Sequence, residues 1–230
     1  MAEEIAMEAD MVDQAAGRVA LVAGATGLVG REILAALLAD KRYRAVHVLG
    51  RRAPPITHPK LHVHTVDFAH LGELPQVDEV YIGLGTTIKV AGSQSAFRAI
   101  DLNAVIAVAK VAHKAGAMRV GVISAMGANA KSSVFYNRVK GEMEEALGQL
   151  GYTTVVIARP SFIEGDRAAL DQPGRSGEGL ALMAMRALRP LIPSNYRVIA
   201  APQIAQALLQ AVQQAKPGIH TLLSGEMQSV

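Results

Sequence analysis

An apolar run, Val19-Ala20-Leu21-Val22-Ala23, leads straight into Gly24-Ala25-Thr26-Gly27-Leu28-Val29-Gly30, and a helical pattern follows. Leu28, Ile33, Leu34, Leu37 and Leu38 keep the three- and four-residue spacing of one helix face. A strand, a glycine-rich turn and a helix in that order build a seat for a pyrophosphate. Gly24 permits the tight turn, Gly27 keeps a Cβ out of the ligand's way, and Gly30 lets helix and strand close together. Thr26, Leu28 and Val29 complete the segment, where free N–H groups at the helix N-terminus face the phosphates. The alternative is an ordinary strand-to-helix turn, and the flanking context argues against it.

Apolar and helical segments alternate as far as residue 160. The spacing predicts strands over 18–23, 45–50, 61–66, 78–84, 119–124 and 153–158, and helices over 28–40, 94–115 and 136–150. Most of these strands are continuous apolar runs, as in a parallel sheet covered on both faces. The expected fold is α/β, a doubly wound parallel sheet. In 94–115 the buried stripe is Phe97, Ile100, Val105, Val108, Ala109 and Ala112; Gly116 ends that helix and Gly151 the next.

Beyond Pro160 the texture changes. Gly165, Pro173, Gly174, Gly177 and Gly179 read as a loop over 165–179. A short helix near 179–188, an extended piece near 196–200, a helix from Pro202 to Ala215 and a strand near 219–223 follow. Residues 161–218 thus read as a small C-terminal, substrate-side cap on one domain spanning 18–230. Residues 1–17 read as an acidic flexible tail.

The chain has 230 residues, half of them apolar, enough for one sizeable core. It has no cysteine, which rules out disulfides, thiol catalysis and Cys-type zinc sites. Its apolar stretches fall short of a membrane span, and the N-terminus lacks a secretory pattern, so the expected setting is the cytoplasm, with no membrane partner. Residues 1–17 carry five acidic side chains and no Lys or Arg, leaving 23 basic against 15 acidic in the rest. No Lys/Arg block exceeds two and aromatics are sparse, which argues against nucleic acid. An anionic small molecule accounts for the excess more simply.

Cofactor type is decided where the second strand ends. A site for NAD normally places an acidic residue there, against the adenosine ribose. This chain has Gly50-Arg51-Arg52, and guanidinium groups pair with phosphate in bidentate fashion. NADP(H) is therefore the expected cofactor, with two solvated loop arginines as the alternative. Asp67, closing the third strand, either bonds the adenine or caps a helix. Gly85, Thr86 and Thr87 after the fourth strand are small enough to pass beneath the cofactor's sugar and phosphates.

Tyr136-Asn137-Arg138-Val139-Lys140 puts a phenol and an ammonium on one helix face. A neighbouring cation favours phenolate, which suits a general acid/base, and Lys140 is also placed to bond the nicotinamide ribose. Ser124 ends the fifth strand twelve residues before Tyr136.

With these motifs in place the chain resembles the short-chain dehydrogenase/reductase superfamily, in its atypical branch. Gly24, Gly27 and Gly30 match that family's glycine pattern, Tyr136 and Lys140 its Tyr/Lys pair, and Asn103 its helix asparagine. Gly83-Leu84-Gly85-Thr86-Thr87, Lys131-Ser132-Ser133, Tyr136 to Glu142 and Ala158-Arg159-Pro160 resemble more closely the Tat-interacting oxidoreductase subgroup and its bacterial relatives. The resemblance implies a Rossmann sheet of about seven strands, NADP(H) as cofactor, and Arg159-Pro160 crossing near the nicotinamide. It also implies homodimer surfaces on helices 94–115 and 136–150.

Function follows as two expectations. In the first, the protein is an NADP(H)-dependent oxidoreductase acting on a small carbonyl or alcohol. Tyr136 exchanges the proton, Lys140 orients the ribose, Ser124 bonds the substrate oxygen, and Asn103 supports the site. In the second, it is an NADP(H)-binding regulator or scaffold without turnover. The active hydroxyl is open: Ser124 is followed by Ala125-Met126-Gly127, so Met126 stands where a serine two places later would be, and Ser132 and Ser133 are loop alternatives. Sugar-nucleotide chemistry would need a larger substrate domain. His62 and His64 share one side of a strand, but no third ligand is near in sequence, and no metal is expected. Glu164 and Asp166 read as loop carboxylates near Arg159 or Arg167, and Met183 and Met185 as packing for an apolar pocket.

Overall fold

The segments that read as continuous apolar runs are those the fold buries from end to end. The computed structural model describes residues 17–164 and 192–229. Its first half holds β1 (Arg18–Ala23), α1 (Leu28–Ala39), β2 (Tyr43–Gly50), β3 (Leu61–Thr65) and β4 (Glu79–Ile82). Then α2 (Ile88–Ala91), α3 (Gln94–Arg98), a π-helical segment (Ala99–Ala104) and α4 (Val105–Lys114) lead to β5 (Arg119–Ile123), α5 (Phe135–Gly148) and β6 (Thr154–Arg159). After these come β7 (Ile163–Glu164), β8 (Ile199–Ala200), α6 (Ala201–Gln214), β9 (Gly218–Leu223) and α7 (Ser224–Met227).

Seven strands form one sheet in the order β3-β2-β1-β4-β5-β6-β9, and every pairing is parallel. Val19–Ala23 of β1 and Val80–Ile82 of β4 are buried and hydrophobic because helices cover both their faces. The edge strands β3 and β9 leave most of their side chains exposed, which is why they can carry His62, Thr65 and Thr221. On one face, α1 and α6 bury Ile33, Leu37, Ile204 and Leu208 against Val46 and Val156. On the other, α4 and α5 bury Val105, Val108, Met143 and Leu147 against Leu21, Val80 and Val120.

At the amino ends of the strands, the buried Glu79 accepts hydrogen bonds from Tyr43 (2.5 Å), Tyr81 (2.8 Å) and Arg18 (3.0 Å). Burial beside this carboxylate pushes both phenols well above the usual tyrosine range. That end is a closed hydrogen-bonded network.

Two expectations change here. The helix expected over 94–115 is interrupted by the π segment, because an inward carboxylate, Asp101, is accommodated in its middle. The described part of the 161–218 cap divides. β7 and β8 form a small separate pair, whereas α6 packs on the central sheet and against α1, its apolar face being needed there. The loop at 165–179, the helix near 179–188, Asp166, Arg167, Met183, Met185 and the acidic tail up to residue 16 lie outside the described residues.

Candidate cofactor and catalytic site

The sheet order reverses direction between β1 and β4, and the turns leaving those two strands touch. Gly24 has φ +88°, and a Cβ there would lie 2.6 Å from the carbonyl carbon and oxygen of Gly83. Gly30 presses onto the same turn, whereas a Cβ on Gly27 would meet only the Gly24 oxygen closely, at 3.3 Å. Gly27 precedes the first turn of α1 and no side chain caps that turn, so its N–H groups are presented to the crevice. Thr26 is half-buried, while Leu28 and Val29, the first residues of α1, are buried. A crevice at a switch point with an open helix N-terminus is where a doubly wound sheet binds a dinucleotide, and these residues fit one.

One flank of the crevice is laid out by β2 and β3. β2 runs parallel beside β1, so Arg51 and Arg52 emerge next to the glycine turn. Both are exposed, and among the described residues neither has a hydrogen-bond or ion-pair partner. Arg31, by contrast, pairs with Glu32 at 3.0 Å. Asp67 is exposed and caps a turn: it accepts the Ala69 N–H (3.0 Å) and pairs with His70 (3.2 Å). Those two partners hold its carboxyl below the usual range.

The other flank of the crevice is built from the turn after β4, the π segment and α5. Lys140 Nζ stands 2.7 Å from Asp101 Oδ1, with side chains only 4% and 1% exposed. The contact is a close ion pair without the angles of a hydrogen bond. Asp101 Oδ2 accepts the Thr86 N–H at 2.9 Å. Thr87 caps α2 by accepting the Val90 N–H at 3.2 Å, so its hydroxyl serves that helix. Tyr136 is half-buried one turn before Lys140, its ring 5.5 Å from that of Phe97.

Asn103 does not join this group. It is exposed, and the inward residue is Asp101, two positions earlier and roughly half a turn round the helix. Ser124 is buried and donates its hydroxyl proton to Glu144, which lies one turn beyond Lys140 on α5. Arg159 closes the same network with two hydrogen bonds to Glu144, at 3.1 and 2.5 Å, and that carboxylate raises the guanidinium further. Pro160 is buried and accepts the Met126 N–H at 3.1 Å, which extends the β5–β6 pairing by one more link.

Sequence reasoning missed Asp101, Glu144 and Gly141. A Cβ on Gly141 would lie 2.1 Å from Ala130 N, because the loop leaving β5 rests on this turn of α5. It also missed His47. This residue on β2 meets both strand histidines, with Nδ1 2.9 Å from His64 Nε2 and its ring stacked on His62 at 4.9 Å. The His47 and His64 nitrogens bond each other, and among the described residues no group of three such side chains can hold a metal.

Comparison with known proteins agrees with this geometry. Residues 24–172 match a family model described as NAD(P)H-binding. The chain belongs to the NAD(P)H-binding family.

Among curated relatives it is 37% identical over 177 residues to the mitochondrial protein FMP52 of Chaetomium globosum, covering 73% of this chain and 74% of that one. It is 34% identical over 156 residues to the mitochondrial FMP52-1 of Scheffersomyces stipitis, covering 64% and 68%. The fold matches MoeE5 in complex with UDP-glucose and NAD at a TM-score of 0.66 and 18% identity, over 90% and 75% of the two chains. It also matches a short chain dehydrogenase family protein from Francisella tularensis at 0.67 and 13% identity, over 92% and 99%. Family membership supports a nicotinamide cofactor. The cytoplasmic expectation is overturned, because these relatives are named as mitochondrial proteins. No described helix is long and apolar enough to cross a membrane.

Proposed function

We propose that this NAD(P)H-binding protein is an NADP(H)-dependent oxidoreductase acting on a small carbonyl or alcohol. The observation that carries the proposal is the ion-paired Lys140 on the same α5 face as Tyr136, beside the Gly85–Thr86 turn and across the crevice from the glycine turn. The narrower likeness to the Tat-interacting oxidoreductase subgroup belongs to the same proposal.

When bound, the dinucleotide supplies the hydride or accepts it, chemistry no side chain performs. Gly24, Gly27 and the α1 N-terminus bind its pyrophosphate, and Arg51 and Arg52 grip the adenosine 2′-phosphate. Lys140 donates to the nicotinamide ribose hydroxyls. Tyr136 gives its Oη proton to the carbonyl oxygen in reduction and takes it back in oxidation. Arg159 and Glu144 hold the ends of β5 and β6 together beneath the reacting centre.

Ser124 fits the oxidoreductase role less simply, since a hydroxyl has one proton and Glu144 takes it. Ser124 is left with lone pairs, and accepts rather than donates. This observation favours the second reading, an NADP(H)-loaded regulator that turns nothing over. Tyr136→Phe, assayed over a panel of carbonyls and alcohols, separates the two. The oxidoreductase loses at least about 100-fold in turnover and keeps its NADPH affinity. Turnover that survives the substitution removes Tyr136 from the mechanism, and a wild-type protein inert on the whole panel supports the regulator.

A further inference from the structure

One carboxylate joins two walls of the crevice that are far apart in sequence. Asp101 Oδ1 faces Lys140 from α5, and Asp101 Oδ2 receives the Thr86 N–H from the turn after β4. We propose that Asp101 is a positioning residue for the nicotinamide half of the site, fixing Lys140 and the Gly85–Thr86 turn in one arrangement. The inference rests on the reading above that Lys140 serves the ribose on that side.

Three features bear on it. First, Lys140 is a long, flexible side chain held almost entirely away from water, and a buried ammonium without a counter-charge leaves such a place. Asp101 is the carboxylate that keeps it there. Second, the π segment interrupts a helix where an inward carboxylate is needed, and such interruptions gather at functional sites. Third, the β4 turn runs hard against the pair. A Cβ on Gly85 would lie 3.3 Å from Asp101 Oδ1 and 3.8 Å from Lys140 Nζ. The turn, the carboxylate and the ammonium therefore move together or not at all. The adenosine end, with Arg51 and Arg52 after β2, shares none of these contacts.

The test uses that separation. Asp101→Asn in the full chain is titrated calorimetrically with NADPH and with 2′,5′-ADP, which carries the adenosine half alone. A positioning role weakens NADPH at least about tenfold and leaves 2′,5′-ADP within about twofold of wild type. Parallel loss of both ligands marks a merely structural ion pair and overturns the proposal, as does unchanged NADPH binding. If the variant fails to fold, the wild-type protein still decides by NMR. NADPH must then shift the Thr86 amide and the Lys140 ammonium signals together, while 2′,5′-ADP moves neither; a shift in one signal without the other overturns the coupling. Wild-type protein that binds no NADPH overturns the cofactor reading and this inference together. Normal wild-type binding with an indifferent variant overturns this inference alone.

Discussion

A methyl group on Gly30 would lie 2.0 Å from the carbonyl oxygen of Gly24, the residue that turns the chain out of β1. No rotamer relieves that overlap, because both partners are backbone. Gly30→Ala must push α1 away from the sheet, and a loss of about 3 kcal/mol is expected. Gly27→Ala is different, since its methyl meets the Gly24 oxygen at 3.3 Å and otherwise only the Gly83 oxygen, at 3.9 Å. Urea unfolding should show Gly27→Ala within about 1 kcal/mol of wild type with NADPH binding weakened, and Gly30→Ala unstable. Equal stability of the two variants would contradict this division of roles.

Glu144 anchors Ser124 and Arg159 from a single helical position. Removing it leaves a guanidinium 30% exposed and a buried hydroxyl, both without their acceptor. Glu144→Ala should cost about 2–3 kcal/mol, below the range for a fully buried pair because water still reaches Arg159. Arg159→Met/Glu144→Met, which removes both charges, should recover part of that loss. A double variant that loses as much as the Arg159→Met and Glu144→Met variants summed, or more, would show that the pair is not the coupling unit.

The imidazole group on β2 and β3 sets a pH dependence. Burial chiefly, then the charges of His64, His62 and Arg44, lowers His47 to about 4. Its folded value therefore lies below its unfolded value, so the unfolded chain takes up the proton first as pH falls. Stability present at pH 7 declines between about pH 6.5 and 4, and His64, lowered in the same direction by burial and His62, adds to the decline. With a half-buried ring screened by water, the loss attributable to His47 is about 1 kcal/mol. Urea midpoints at pH 7.5 and 4.5 should fall further for wild type than for His47→Gln. Identical falls would remove His47 from the effect.

Much of the architecture was legible because burial dictates composition. Val19–Ala23 of β1 and Val80–Ile82 of β4 are hydrophobic because they lie under two helix layers, and the glycines at 24, 27 and 30 mark where backbones meet. The π insertion was not legible, since Phe97, Asp101 and Val105 keep the four-residue steps of an unbroken helix. Its one signal is a charged residue on an otherwise apolar stripe, two positions before Asn103, which faces water. Glu144 had a comparable signal, lying four and eight residues beyond Lys140 and Tyr136 on one face. Its partners come from β5 and β6, and only the sheet order brings those ends together. His47 escaped notice for the same reason, because its register opposite His62 exists only once β2 and β3 pair.

Binding of NADP+ against NAD+ by calorimetry, in wild type and in Arg51→Ala/Arg52→Ala, tests the central claim most directly. The two exposed guanidinium groups predict tighter NADP+ binding in wild type. They also predict that the double substitution removes that preference, weakening NADP+ at least about tenfold while leaving NAD+ nearly unchanged. Equal affinities in wild type, or a preference that survives the loss of both arginines, would contradict the account.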